Sequence, residues 1–171
     1  NPIPPVVMAL FLAIVGVEAA LQLGARGIVG GPGAIGWRQA AIEDFAFNSQ
    51  IMQWMWENGI YYMADGFTFE STKPIVQWII EKNLLPSKLR PKELTLIINS
   101  PGGSVHAAFA LIDTMKGSAI PIKTVGLGLI ASCGVLTFMS GTKGRRIITP
   151  NTSILSHQYS WGSSGKEHEL F

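Results

Sequence analysis

The sequence predicts an α/β protein whose sheet is mainly parallel. Three observations carry that expectation. Short β-branched or aliphatic runs alternate with longer stretches of helical periodicity from Ile60 to His157, the pattern of successive βαβ units. The run Leu94-Thr95-Leu96-Ile97-Ile98 is apolar almost throughout, as a strand covered on both faces of a parallel sheet must be. Glycine-rich words, Ser100-Pro101-Gly102-Gly103 and Gly126-Leu127-Gly128, follow two of the runs and precede helical segments, marking strand-to-helix turns.

The elements follow in order. Ile60 to Met63 reads as a strand after the Asn58-Gly59 stop. Phe69 to Leu85 reads as a helix with Ile75, Val76, Trp78, Ile79, Ile80 and Leu84 as its apolar positions, and Pro86 to Pro91 as a loop. Leu94 to Ile98 is a strand, Val105 to Met115 a helix and Ile120 to Val125 a strand that the glycines end. Val135 to Ser140 is a short helix, and Arg146 to Ile148 and Ser153 to His157 are strands. Right-handed crossovers would join these into one sheet.

The first part of the chain differs in character. Val6 to Val17 is an apolar run that continues to Leu23, interrupted by Glu18 and Gln22; with Arg26 these form a polar stripe at four-residue steps. On length it suits a membrane helix and a buried or partner-facing helix equally, since a bilayer span needs about 20 residues. The absence of a basic residue ahead of it argues against a secretory signal. Gly24 to Gly36 is a loop; its Gly31-x-Gly33-x-x-Gly36 spacing lacks the leading strand and surrounding βαβ unit that a dinucleotide site requires. Trp37 to Trp56 reads as an amphipathic helix rich in aromatic residues. The expected division is therefore an apolar helical segment with a Gly-rich loop over residues 1–58 and an α/β core over residues 59–171.

Composition excludes several classes. The net charge is +2 and charged residues are 14% of the chain, which leaves no nucleic-acid footprint. A hydrophobic content of 47% and a mean hydropathy of +0.30 point to burial in an assembly or to membrane contact by residues 5–23. The single cysteine excludes an internal disulfide and fits a reducing, cytoplasmic setting. His106, His157 and His168 with Cys133 form no metal-ligand spacing.

The chemistry-bearing stretch is Gly126 to Gly134, with Ser132 at the turn into a helix. A helix start supplies unpaired N–H groups and a positive dipole end, which suit a developing oxyanion; the simpler reading of a serine there is an N-cap. The words Ile98-Asn99-Ser100-Pro101-Gly102-Gly103, Asp113-Thr114-Met115, Gly128-x-x-Ala131-Ser132-x-Gly134, Gly141-x-Lys143-Gly144-x-Arg146, Pro150-Asn151 and His157-Gln158 stand in one order along the chain. In these words the chain resembles the proteolytic subunit of the Clp protease, a serine peptidase of crotonase-like fold. The resemblance implies Ser132 as nucleophile, His157 as its base, and the N–H groups of Gly103 and Cys133 as the oxyanion hole. It implies that Ser100, Pro101 and Gly102 line the channel where an extended substrate pairs. It also implies no metal or cofactor, a homo- or hetero-oligomeric ring, unfolded polypeptide as substrate and a separate AAA+ unfoldase that hydrolyses ATP.

Departures are equally legible. The family's orienting Asp lies past its His, whereas no Asp follows His157 here, and the helix and strand that join two rings are absent from this sequence. The core is thus expected to be incomplete at its C-terminus, and a non-catalytic structural subunit or truncated relic lacking the orienting Asp is the alternative function. Asp113, Asp65 and Asp44 have no motif that makes them the orienter. Lys143 raises a Ser–Lys alternative, although its Gly-rich surroundings read as a solvated turn. Cys133 stands where the family has Met, and only its backbone N–H is needed. Residues 1–56 resemble the N-terminal region of rhomboid-family membrane proteins in the Pro-rich start, apolar helix and Gly-rich loop. The rhomboid Gly-x-Ser-Gly and later His are missing, so that resemblance implies no activity.

Overall fold

A computed structural model describes residues 50–158. The expectations placed on residues 1–49 (the apolar run, the Gly-rich loop, most of the Trp37–Trp56 helix, Asp44) and on 159–171 (His168) lie outside the described residues. Among the described residues no helix is long and apolar enough to cross a membrane.

The order is β1 (Ile60–Met63), α1 (Phe69–Leu84), β2 (Leu94–Ser100), α2 (Val105–Gly117), β3 (Ile122–Ala131), α3 (Cys133–Met139), β4 (Arg146–Ile148) and β5 (Ser153–Leu155). The strands lie in the order β1-β2-β3-β4, with β5 also pairing β3. Every pairing is parallel. This is the fold class the alternating pattern predicted. A parallel sheet places all strand C-termini along one rim, where loops into the following helices collect functional groups.

Side-chain alternation along β2 explains its apolar sequence. Leu94, Leu96 and Ile98 join Ile75, Trp78, Ile79, Leu111 and Phe138 in the main core. Ile97, one residue out of phase, packs with Val125 and Met55 on the other face, as the two-residue period of a strand demands. Met55 belongs to a helical stretch over residues 50–57. Trp56, on the same stretch, stacks at a tilt against Tyr61 and Trp78, with ring centroids 6.0 and 6.5 Å away. These contacts tie residues 50–57 to the sheet.

Helix α1 begins with a capping box: the Thr68 hydroxyl accepts from Ser71 N and the Ser71 hydroxyl accepts from Thr68 N. Its two reciprocal bonds satisfy donors that a helix start leaves free. Helix α2 is capped by Ser104, whose hydroxyl accepts from Ala107 N. At the opposite rim from the strand C-termini, Glu93 forms ion pairs with Lys123 and Arg145. Burial raises the Glu93 pKa, but hydrogen bonds and charge from Lys123 and Arg145 outweigh it, so the carboxyl ionises below its usual range.

Two of the boundary differences from the sequence expectation bear on the site. β3 does not end at Val125; it runs through the glycines to Ala131. Pairing with β2 jumps from Ile98↔Gly126 to Ser100↔Ile130, so extra residues of β3 bulge out and the strand then resumes. Asn99 closes the bulge: its Oδ1 accepts from Leu129 N at 3.1 Å. Conversely β5 stops at Leu155, leaving His157 just beyond the strand rather than in it.

Candidate active site

Three strand ends meet at the C-terminal rim. β2 leads into the Pro101–Gly103 turn, β3 into Ser132, and β5 into His157. A cleft of about 720 Å³ between them is bordered by Pro101, Gly103, Ser132, Cys133, Ser156 and His157, with Val105, His106, Phe109, Val135 and Leu136 as its outer walls. The structure thus brings the expected nucleophile, base and oxyanion donors to one cavity.

Ser132 is held in an unusual conformation. Its φ is +54° and ψ −124°, the one positive φ of a non-glycine among the described residues. Such a conformation costs on the order of 1–3 kcal/mol and persists only where surrounding contacts enforce it. Here Ser132 N donates to Leu155 O at 2.8 Å, locking the turn to β5. Ser132 occupies the N-cap position of α3, yet its hydroxyl makes no capping hydrogen bond. The N-cap reading is therefore set aside by geometry: the backbone is turned so that the hydroxyl borders the cleft.

The Ser100–Gly103 turn is fitted against Ser132. A Cβ on Gly102 would lie 2.5 Å from the Ser132 Cβ, and a Cβ on Gly103 would lie 2.4 Å from the Phe67 carbonyl oxygen. Both glycines have positive φ, so no other residue fits without displacing backbone. Phe67 N donates to Gly102 O at 2.8 Å and Ser104 N donates to Phe67 O at 2.7 Å, stitching the turn to the chain after β1. Ser100 is fully buried, at 0% exposure. Its hydroxyl donates to Asp65 O and accepts from Gly102 N. Of the three residues expected to line the substrate channel, only Pro101 borders the cleft; Ser100 and Gly102 lie beneath it and hold the turn.

The two residues expected as oxyanion donors, Gly103 and Cys133, line the same cleft. The Cys133 side chain is 1% exposed. Burial pushes the thiol up, and the N–H groups of Gly103, Cys133 and Gly134 facing the sulfur pull it part of the way back. Gly103 and Cys133 both border the cleft beside Ser132, from the β2–α2 turn and the start of α3 respectively.

His157 is differently situated. It is exposed, and no hydrogen bond joins it to Ser132. Its Nδ1 lies 2.7 Å from Gln158 O. A carbonyl oxygen only accepts, so in this contact Nδ1 carries the proton and Nε2 is left as the acceptor. That is the tautomer a base for a hydroxyl needs.

Other expected residues fall elsewhere. Lys143 is exposed on the turn between α3 and β4, at the rim opposite Ser132, so the Ser–Lys alternative is corrected by position. Asp113 is exposed on α2, and Asp65 meets the site only through its backbone carbonyl. Among the described residues no group of three His, Cys, Asp or Glu is placed to hold a metal ion. His106, which the sequence excluded only as a metal ligand, stands on the cleft wall. The signal for it was the Val105/His106/Phe109 spacing, which puts the three on one helix face. Asn99 was legible only as part of a motif word.

An all-parallel α/β sheet with a strained, uncapped serine at a strand-to-helix turn defines the class: an α/β protein with a candidate nucleophile at the C-terminal rim of its sheet. The sequence profile of the Clp protease family matches residues 47–170, and the chain belongs to that family. The match takes in helical residues 50–57, in keeping with their packing on the sheet. The ATP-dependent Clp protease proteolytic subunit 2 of Thermobifida fusca is 42% identical over 87 residues, 51% of this chain and 43% of the relative. Subunit 2 of Corynebacterium glutamicum is 35% identical over 133 residues, 78% of this chain and 65% of the relative. The chloroplastic subunit 3 of Arabidopsis thaliana is 40% identical over 87 residues, 51% of this chain and 28% of the relative. The chain thus spans less than two thirds of the length of these relatives. The rhomboid resemblance of residues 1–56 finds no support in these comparisons, and its last part overlaps the Clp match.

Proposed function

We propose that this chain is a serine-type endopeptidase subunit of a Clp assembly, cleaving unfolded polypeptide delivered by a separate AAA+ unfoldase. The observation that carries the reading is Ser132: a positive-φ residue with a free hydroxyl, wedged between the Gly102-Gly103 turn and the first turn of α3. In the proposed reaction the Ser132 hydroxyl attacks the scissile carbonyl carbon while His157 Nε2 takes its proton. The N–H groups of Gly103 and Cys133 stabilise the tetrahedral oxyanion. His157 then returns the proton to the leaving amine, and water enters by the same route to release the acyl group. Pro101 and Gly103 border the path of the extended substrate. Work is expected to take place inside a ring of identical or related subunits in a cytoplasmic compartment.

A second reading, a non-catalytic structural subunit, is favoured by one observation: His157 is exposed and engaged with Gln158 O rather than with Ser132. One experiment separates the two. Full-length protein treated with a fluorophosphonate probe should label, and Ser132→Ala should abolish the labelling. A wild-type protein that stays unlabelled, or a variant that labels equally, removes the peptidase reading and leaves the structural one.

A further inference from the structure

Resting on the peptidase reading, we propose that His106 is a specificity-determining residue of this cleft, selecting a substrate side chain with an apolar stem and a terminal oxygen acceptor, the glutamine and glutamate class. The argument begins with what the walls offer. On α2, Val105, His106 and Phe109 share one face at i, i+1 and i+4 spacing, and on α3 Val135 and Leu136 stand across from them. Phe109 is 50% exposed and Leu136 47%. These are large apolar surfaces held open directly beside the serine and its amides. A side chain entering there would bury its methylenes against the phenyl ring and the leucine, which favours an apolar stem.

The polar part of the wall is sparse. Among the described residues no Asp, Glu, Lys or Arg borders the cleft. Apart from the buried Cys133 thiol, its titratable groups are His157 and His106. His157 is the base of the proposed reaction and is occupied at Nδ1 by Gln158 O. His106 makes no side-chain hydrogen bond or ion pair with any described residue, although each imidazole nitrogen has bonding capacity. Besides Ser132 and His157, the cleft's polar side chains are Ser156 and the exposed His106, and the few polar groups of a mostly apolar pocket orient its ligand. An imidazole N–H donates, so the complementary ligand atom is an oxygen acceptor at the end of a short apolar stem. An aliphatic side chain of equal length would leave the imidazole facing apolar surface and lose the bond.

The test uses the full chain and peptidyl diphenyl phosphonates that differ only at the residue bonded to phosphorus, as glutamine, glutamate or norleucine analogues. Their second-order rates of labelling at Ser132 are compared. A net hydrogen bond contributes about 0.5–1.5 kcal/mol, roughly a 2- to 12-fold preference. Wild type should label faster with the glutamine and glutamate analogues than with norleucine. His106→Leu should erase the difference and His106→Gln, which keeps an N–H donor, should retain it. Circular dichroism and the melting temperature establish that each variant is folded. A glutamate analogue outpacing glutamine would assign a charge-assisted bond; equal rates would assign the carbonyl oxygen alone. A preference unchanged in His106→Leu, or absent in a wild type that the fluorophosphonate does label, overturns the role of His106 while leaving the peptidase reading intact. No labelling of Ser132 by any probe removes both together.

Discussion

The two halves of the candidate centre are built to different standards. Ser132 sits among buried backbone: Gly102 lies so near that a Cβ there would collide with its own, Leu155 O accepts its N–H, and the start of α3 is anchored by buried Cys133, Gly134, Thr137 and Phe138. His157 sits past the end of a three-residue strand whose residues are all exposed. A strained conformation such as that of Ser132 survives only inside a rigid frame, whereas a side chain on an exposed strand end is held by few contacts. The nucleophile half is thus set by the packing of this domain. The base half depends on whatever further contacts fix the chain around residue 157. Ile147, Ile148, Ile154 and Leu155 on β4 and β5 are exposed apolar side chains near that edge.

The contrast can be broken at His157 first, where the largest effect is expected. General-base assistance is worth about 10²–10⁴-fold. His157→Ala should slow fluorophosphonate labelling by that order without shifting the melting temperature; an unchanged rate would mean that His157 does not serve Ser132. On the other side, Gly103→Ala forces a Cβ against the Phe67 carbonyl. We expect a loss of about 2–4 kcal/mol in urea unfolding, from backbone strain and overpacking, together with lost labelling. A variant as stable as wild type would show that the turn is less constrained than its contacts imply.

The buried neighbour sharpens the comparison more gently. With its thiol pushed up by burial, Cys133 should be alkylated by iodoacetamide only at a pH above the ordinary thiol midpoint near 8.5, and at the ordinary midpoint once the protein is unfolded. Identical profiles would place the thiol in solvent. The smallest effect belongs to the opposite rim. Glu93 has a lowered folded-state pKa, so its contribution is present above the unfolded value of about 4.3 and is lost as pH falls through the folded value. Its pairs are partly exposed, so Glu93→Gln should cost no more than about 1 kcal/mol at pH 7, with the gap to wild type closing below pH 4. A gap that widened in acid would reverse the sign of that pKa shift.

Much of this protein was decided within short windows of sequence. The apolar run Leu94–Ile98, the paired glycines at 102 and 103, and the capping residues Thr68 and Ser104 act over a few positions, through strand periodicity, positive φ and hydrogen bonds to nearby N–H groups. They determined the strand-helix order and the turn at Pro101–Gly103. The bulge of β3, the burial of Ser100, the cleft-side position of His106 and the exposed setting of His157 were left to the tertiary structure. Each depends on pairing between segments far apart in the chain: Asn99 with Leu129, Ser100 with Asp65, α2 with α3, β5 with β3. Register and facing are properties of two partners at once, and no window that holds only one of them carries the information.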